Sequence, residues 1–335
     1  MKVSCAFPTT MSSPEDIRVA EEIGYERAWL YDTPQQSPDV WMTLALAAER
    51  TSRIGLGPGV LIPTLRHPMV NAAATAMLEG LAPGRVAVAF GTGFTGRRAM
   101  GYRAIPWSHM TAYVDAYRGL LRGDVVEWEG ARMQMLHPDG SGPTRPIDVP
   151  VLIAAIGPKG RAVAERHDGV FATTTLEGLE PGVFEWVAFL YWGTVLKDGE
   201  DASSERVRAA AGPGGALAYH ATYELYGRDA VSGIPGGTEW LAAIDRRVEN
   251  ERHLEVHVGH CIHLNDADRA AWAVTGGSLL PTTTITGTAA DVRARIEELG
   301  ERGVTEVVFQ PSGPDLRGEL EAMYTAASVE TAAVG

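Results

Sequence analysis

Residues 53–101 read RIGLGPGVLIPTLRHPMVNAAATAMLEGLAPGRVAVAFGTGFTGRRAMG. Two apolar segments in this stretch, Ile54–Ile62 and Arg85–Phe90, have the character of strands and flank a helical segment. Glycines near the end of each strand let the main chain approach a bound molecule or adopt torsion angles that other residues resist. The stretch therefore predicts a β-α-β unit that holds a ligand at the ends of its strands.

The composition excludes several classes of protein. The chain has 335 residues and a net charge of −13, with 42 acidic against 29 basic residues, which argues against a nucleic-acid partner or an anionic membrane surface. Its two cysteines, Cys5 and Cys261, provide neither a disulfide framework nor a cysteine-based metal site. No apolar run approaches a bilayer-spanning length, and residues 1–10 lack the apolar stretch of a secretory signal, so we expect a cytoplasmic protein.

Strands and helices alternate along almost the whole chain. Eight strands are predicted, at Lys2–Phe7, Arg27–Tyr31, Ile54–Ile62, Arg85–Phe90, Val149–Ala155, Asp168–Thr174, Gly215–Tyr226 and Val304–Gln310. Alternating units of this kind form parallel sheets, and eight strands in one series favour a closed (β/α)8 TIM barrel over an open sheet. We expect one α/β domain over residues 1–335, with insertions at its C-terminal rim at about 125–146 and 176–285.

Four pieces of sequence resemble one known family. They read AEEIGYERAWLYD from Ala20, RIGLGPGVLIPTLRHP from Arg53, LAPGRVAVAFGTG from Leu81 and VPVLIAAIGPKGRAVAERHDGVF from Val149. Their order and spacing are similar to those of the bacterial luciferase-like superfamily of flavin- and deazaflavin-dependent oxidoreductases. The resemblance is good over residues 1–175, looser over the last 50 or so, and weak in between.

This resemblance implies a barrel with insertions, often a homodimer, whose site lies at the C-terminal ends of the strands. Family members bind either FMN or coenzyme F420, with the ring inside the barrel mouth. The Gly157-Pro158-Lys159-Gly160 turn resembles the F420-dependent branch, which includes methylenetetrahydromethanopterin reductase. Free N–H groups at a helix start favour a phosphate, so the turn is expected to hold the coenzyme phosphate; an ordinary βα loop is the alternative.

Two glycine-containing segments are expected to border the coenzyme ring. Residues 91–96 match G-x-G-x-x-G, but they follow the fourth strand, so the resemblance to a ring-bordering loop is preferred over a dinucleotide-binding turn. The pair Gly59-Val60 matches a position where the family often has a non-prolyl cis peptide that forms a bulge behind the ring.

Asp32 ends the second predicted strand, where a carboxylate suggests a site residue, and the resemblance places it at the polar edge of the coenzyme. A turn cap before Pro34 is the alternative. Several deazaflavin enzymes of this family have a histidine where Thr33 stands, and many have an acid where Phe94 stands, so the proton-donating group must come from elsewhere. Candidates for it are Tyr31, Arg97, Tyr102, His109 and Tyr113. Arg66-His67-Pro68 is expected to open a helix rather than to act in catalysis.

A histidine cluster lies in HLEVHVGHCIH, which contains His253, His257, His260 and His263. This spacing allows a metal site, but no pattern of carboxylates or cysteines completes one, and a lining or plain strand role is preferred. His220, placed on the predicted seventh strand, is the better candidate for the barrel interior.

The sequence thus predicts an oxidoreductase that uses coenzyme F420 to transfer hydride to or from a small organic substrate. An FMN-dependent monooxygenase that uses O2 is the alternative, and a non-catalytic flavin-binding barrel is a third reading. The catalytic residue is left open among Asp32, Tyr31, His109 and His220, and no metal is expected. The predicted coenzyme-binding residues are Asp32, Gly59, Val60, Gly91, Thr92, Gly93, Ala155, Ile156, Gly157, Pro158, Lys159, Gly160 and Thr174.

Overall fold

The computed structural model describes residues 1–155 and 157–328. In chain order its strands are β1 (Lys2–Phe7), β2 (Arg27–Leu30), β3 (Gly55–Leu61), β4 (Val88–Phe90), β5 (Val126–Trp128), β6 (Ala131–Met133), β7 (Val151–Ala154), β8 (Gly169–Thr173), β9 (Val187–Val195), β10 (Ile285–Gly287) and β11 (Glu306–Gln310). Its α-helices are α1 (Ser13–Ile23), α2 (Val40–Ala48), α3 (Pro68–Leu81), α4 (Phe94–Arg98), α5 (Trp107–Arg122), α6 (Pro158–Ala164), α7 (Glu205–Tyr226), α8 (Arg228–Ser232), α9 (Gly237–Ile244), α10 (Arg252–His257), α11 (Asp266–Thr275), α12 (Leu280–Thr283), α13 (Ala289–Glu301) and α14 (Leu316–Ala327).

Eight strands close into a parallel barrel in the order β1-β2-β3-β4-β7-β8-β9-β11, and β11 pairs with β1 to complete the ring. This confirms the predicted (β/α)8 fold. β10 extends β9 in parallel beyond the ring, and β5 and β6 form a separate antiparallel hairpin. None of the helices in the described part of the chain combines the length and apolar character that crossing a bilayer requires.

The core has two parts because alternate residues of each strand face opposite sides. Cys5 and Phe7 of β1 belong to the cluster between the strands and the helices, whereas Ala6 belongs to the cluster inside the barrel. At the start of β11, the buried Glu306 carboxylate accepts hydrogen bonds from the indole Nε1 atoms of Trp29, at 3.0 Å, and Trp186, at 2.5 Å. These bonds satisfy a carboxylate that would otherwise be unpaired inside the barrel.

The prediction for the seventh strand was wrong. Residues 215–226 lie in the helix α7, and the seventh barrel strand is β9, Val187–Val195, which was predicted to be part of a rim insertion. All but the last residue of β9 are buried, as expected of a barrel strand that is covered on both faces. The remaining segments after β9 supply α7 to α12, which lie between the seventh and eighth barrel strands in the chain.

Local signals fix several element ends. Gly24 caps the end of α1, and its φ of 118° lies in the left-handed region that glycine adopts most readily. Thr288 is the N-cap of α13 and forms a capping box with Asp291. These caps fix where each helix begins or ends, and so where the chain enters the next barrel strand.

Candidate functional site at the barrel mouth

Small residues line one half of the C-terminal opening of the barrel. Val60 and Ala154, at the ends of β3 and β7, are half-buried and pack on the interior cluster. Gly91 lies between them, because a Cβ atom there would approach Val60 Cγ2 to 2.6 Å and Ala154 Cβ to 3.5 Å. We call Val60, Gly91 and Ala154 the floor of the mouth. A flat ring can lie on such a surface without meeting a long side chain.

The peptide bond between Gly59 and Val60 is cis, as the family resemblance predicted. The pairing register between β3 and β4 shifts between Gly59 and Leu61, so the strand bulges at this point. Gly59 packs against the indole of Trp29, where a Cβ would lie 3.0 Å from the nearest ring atom. The bulge thus places Val60 at the floor.

Asp32 is held in an ion pair. The Arg66 guanidinium lies 2.6 Å from the Asp32 carboxylate and 2.6 Å from that of Asp39. Burial raises the pKa of Asp32, and the Arg66 hydrogen bond only partly offsets this effect. Sequence reasoning placed Asp32 at the coenzyme but missed the arginine as its partner. His67 and Pro68 open α3 as predicted, with His67 Nδ1 accepting the Met69 N–H at 3.2 Å.

The predicted phosphate turn connects β7 to α6. Gly157 is the N-cap of α6, Pro158 follows it, and no side chain caps this helix end. Gly157, Pro158 and Lys159 are exposed, and apart from the two chain neighbours no atom of the described residues lies within 4 Å of where a Gly157 Cβ would be. Gly160 is buried against Trp107, which leaves no room for a side chain there. Ile156 lies outside the described residues.

The neighbouring predicted residues frame this turn. Ala155 is buried just before it, and the exposed Thr174, with a φ of 60°, follows β8 on the adjacent strand. Exposed main-chain amides and Lys159 could therefore meet an anion at this edge of the mouth.

The G-x-G loop leads into a five-residue helix. Gly93 has a φ of 82° and caps α4, and Thr92 accepts the Ile105 N–H through its carbonyl. A short helix after the fourth strand of a closed barrel lacks the context that the dinucleotide fingerprint requires. Phe94 packs under Arg98, whose guanidinium lies 4.9 Å from the ring centroid.

A segment of residues 257–263, which we call the cover, lies over the other half of the mouth. Cys261 of the cover and Leu217 of α7 pack on the interior cluster together with Trp192. Gln310, at the end of β11, donates a hydrogen bond to the Cys261 carbonyl, and Gln36 donates one to the His257 carbonyl at 2.6 Å. The cover thus packs on the mouth beside β9 and β11, whereas Val60 and Ala154 of the floor stay partly exposed.

Several polar atoms at the mouth are buried and have no hydrogen-bond partner among residues 1–155 and 157–328. They are Tyr31 Oη, Trp192 Nε1, Gln310 Oε1 and Ser312 Oγ. Burial raises the pKa of the Tyr31 hydroxyl, so it stays protonated and can donate a hydrogen bond. Unpaired buried polar atoms are costly, and a bound polar molecule would satisfy them.

His220 does not lie on a strand, contrary to the prediction. It is buried on α7, with Nδ1 2.6 Å from His260 Nδ1 and Nε2 2.8 Å from Asp268 Oδ1. Trp240 also donates to Asp268, at 2.9 Å. His257 is the last residue of α10 and pairs with Glu224 at 3.1 Å. The predicted strand role was therefore wrong for this histidine.

In this region His220 contacts His260 and Asp268, and His257 contacts Glu224. Within the described residues, no group of three or more histidine, cysteine or acidic side chains is arranged to hold a metal ion. The spacing of HLEVHVGHCIH marked these residues, but their partners on α7 and α11 could not be found from it.

The other candidates for proton donation have different roles. The His109 ring packs edge-on against Trp128 of β5, with centroids 5.4 Å apart. The Tyr113 hydroxyl donates to the Arg66 carbonyl at 2.7 Å and accepts from Asn71 at 2.8 Å. Arg97 donates to the Arg103 carbonyl and packs over the exposed Tyr102. Of the predicted candidates, Tyr31 lies closest in structure to the floor, because its ring packs on the same interior cluster.

One family of known proteins is similar to this chain over most of its length. The family model for luciferase-like monooxygenases matches residues 14–306. A 5,10-methylenetetrahydromethanopterin reductase from Methanolobus tindarius is 28% identical over 317 residues, which cover 89% of this chain and 90% of that protein.

Two solved structures share the fold. The coenzyme F420-dependent tetrahydromethanopterin reductase from Methanopyrus kandleri superposes with a TM-score of 0.69 at 20% identity, covering 96% of this chain and 97% of the other. A monooxygenase from Streptomyces bottropensis gives a TM-score of 0.62 at 21% identity, with 97% and 98% covered. The family match spans most of the chain, and the barrel is the one that the sequence resemblance implied. The chain belongs to the luciferase-like monooxygenase family.

Proposed function

We propose that this member of the family is an oxidoreductase that uses coenzyme F420 to transfer hydride to or from a small organic substrate at the barrel mouth. The observation that carries the proposal is the adjacency of the floor, Val60, Gly91 and Ala154, to the uncapped turn at Gly157. A flat ring and a phosphate-bearing chain need these two surfaces side by side. The Methanopyrus kandleri reductase, described as coenzyme F420-dependent, supports the choice of coenzyme.

The residues present fit such a coenzyme. Val60, Gly91 and Ala154 would lie under the ring, and the Tyr31 hydroxyl, which has no partner, would donate to one of its polar atoms. The exposed turn from Gly157 to Lys159 would hold the phosphate through its amides and one positive charge. When bound, the coenzyme supplies the hydride chemistry.

The chain's own residues would position the reactants and exclude water. The cover closes one side of the mouth with Cys261, and Phe94, at the start of α4, offers an apolar side chain to a substrate. Arg66 holds Asp32 in place, so this carboxylate keeps the loop after β2 in a fixed position. Such fixed surroundings hold a substrate in reactive orientation against the ring.

The second candidate is an FMN-dependent monooxygenase that uses O2. It is supported by the family description and by the Streptomyces enzyme. The floor and the turn serve this coenzyme equally well, because FMN also joins a tricyclic ring to a phosphate.

Identification of the coenzyme tests the proposal. The protein is purified from a host that makes both coenzymes, and the released ligand is identified by mass and absorption. We expect F420. Recovery of FMN, with no change in F420 fluorescence on addition of the protein, would contradict the proposal and support the second candidate.

A homodimer is also part of the proposal, together with a cytoplasmic location. The outer faces of α2 and α3 expose apolar side chains, with Met42 71%, Leu46 50%, Val70 51% and Met77 61% exposed. The two helices pack side by side, so these residues form one apolar face. A contiguous apolar face is typical of a surface that another copy covers.

A further inference from the structure

The buried histidine pair on α7 and the cover offers a proton-transfer group that the family resemblance does not supply. Thr33 and Phe94 stand where relatives have a histidine and an acid, so the source of the proton is missing from those positions. We propose that His260 exchanges a proton with the substrate, and that His220 and Asp268 are positioning residues that compensate the charge. This rests on the proposed function, because it assigns the acid–base group of that same site.

The geometry of the pair restricts its protonation. Asp268 is buried and accepts hydrogen bonds from Trp240, from the Asn265 amide at 3.1 Å and from His220 Nε2 at 2.8 Å. Nδ1 of His220 then faces Nδ1 of His260 at 2.6 Å, with an angle of 24° between the ring planes and centroids 4.8 Å apart. Only one proton fits between these two nitrogens. The pair therefore holds either a neutral or a singly protonated state, and Nε2 of His260 is the remaining exchange point.

The proton step balances as follows for a reduction. The pair begins with protons on both His220 nitrogens and on His260 Nε2, with its positive charge beside Asp268. The substrate heteroatom takes the Nε2 proton of His260 as the substrate carbon accepts the hydride that the bound coenzyme would supply. The shared proton moves from His220 to Nδ1 of His260, and both rings end neutral. Oxidation of the substrate runs through the same transfers in reverse.

Residues next to both histidines in the chain lie at the mouth, and we infer from them that His260 reaches it. Cys261, the residue after His260, packs on the interior cluster, and its carbonyl is bound by Gln310 of β11. On α7, Leu217 packs on the same cluster one turn before His220. The side chain of His260 is 7% exposed, so the proton can pass to a molecule at its edge without general access of solvent.

Other charged groups face the pair from each neighbouring element. Asp268 lies on α11, His257 ends α10 with its ring 5.4 Å from that of His260, and Glu224 on α7 pairs with both His257 and Arg98 of α4. Burial, with His220 and His257 nearby, holds the pKa of His260 well below its usual value. Burial alone would raise the pKa of Asp268, but the nearby His220 and the hydrogen bonds that the Asp268 carboxylate accepts hold this pKa below its usual value.

Nitrogen NMR of protein labelled with 15N-histidine tests the shared proton. The nine histidines are assigned by single His→Gln variants, and the pH is varied from about 5 to about 9. We expect the nitrogens of His220 and His260 to shift together as one proton is taken up. D268N should lower the proton affinity of the pair about tenfold or more. E319Q, at a buried carboxylate that pairs with Arg206 and Thr194, is the control and should leave the pair unchanged.

Independent titration of the two rings, or a His260 signal that H220Q leaves unaltered, would overturn the shared proton. H220Q and H260Q provide the same information if D268N fails to fold. Addition of F420 then tests the location: we expect His260 Nε2 to shift and the exposed His67 to stay in place. Bound F420, shown by fluorescence, with an unmoved His260 would overturn the role in proton exchange. Absence of F420 binding would instead show that the proposed function has failed, and with it the role of the pair in that reaction.

Discussion

Arg66 Nη1 lies 2.6 Å from the Asp32 carboxylate, and the two side chains are 15% and 2% exposed. The pair joins the end of β2 to the start of α3 beneath the loops of the rim. Because burial raises the pKa of Asp32 in spite of this partner, the carboxylate depends on Arg66 to remain charged.

Replacement of Arg66 by Met should destabilise the protein by about 3–5 kcal/mol near neutral pH, because it leaves a buried carboxylate without its partner. The folded-state pKa of Asp32 lies above its unfolded value, so ionisation of this group costs stability as the pH rises through that interval. The loss of stability in R66M should therefore shrink as the pH falls towards the pKa of the Asp32 carboxyl group in the unfolded chain. Urea unfolding of the wild type and R66M at several pH values measures this loss of stability. The double variant R66M/D32N should be less destabilised than R66M, because it has no buried charge at position 32. A loss independent of pH would contradict this explanation.

Glu306 should be important for stability rather than for binding. E306A removes the acceptor of the indole N–H groups of the buried Trp29 and the half-buried Trp186, and we expect a loss of about 2–6 kcal/mol. The exposed Glu301, at the end of α13, gives the matched control E301A, which should change stability little. Thermal and urea unfolding followed by circular dichroism compare the two. Equal stabilities would show that the indole bonds are dispensable.

Much of the barrel could be predicted because its signals are local. β1 has the predicted bounds, and the glycine stop of α1 and the cap of α13 follow from single residues. The seventh strand was missed because Val187–Val195 is apolar on both faces and shows no alternation, while glycines in α7 weakened its helical pattern. Pro213 inside α7 had the same effect.

The site was predictable only in part. The cis peptide at Gly59-Val60 and the turn at Gly157 came from the family resemblance. The pairing of His220 with His260 and Asp268 joins residues 40 and 48 positions apart, and no local pattern reports such a contact. The exposed amides at Gly157 likewise follow from the fold and not from composition.

Lys159 should strengthen coenzyme binding through its charge. K159A should weaken the affinity for F420 about tenfold, since it removes one charged partner of the phosphate. The effect should decrease at high salt, because the side chain is exposed. Lys197, exposed after β9, provides the control K197A, which should bind normally. Fluorescence titration at two salt concentrations measures both, and identical affinities would remove Lys159 from the site.

The apolar face of α2 and α3 should hold two copies together. M42K/L46K places two charges on this face and should convert a dimer to a monomer, as measured by light scattering after gel filtration. Val274 on α11 is 60% exposed, and V274K should leave the mass unchanged. A wild-type protein that is already monomeric at micromolar concentration would contradict the proposed dimer.

Ala154 forms part of the floor and is half-buried, so a large side chain there should occupy the place of the ring. A154W is expected to keep its fold, shown by an unchanged circular dichroism spectrum, and to lose saturable binding of F420. A131W, on the exposed β6 strand, is the matched control and should bind as the wild type does.

The fluorescence of coenzyme F420 during titration with the wild-type protein and A154W is the most direct measurement. If the ring lies on Val60 and Ala154, F420 fluorescence should be quenched saturably at one site per chain by the wild type and not at all by A154W. Equal quenching by both proteins, or none by the wild type while FMN binds, would contradict the placement of an F420 ring on the floor.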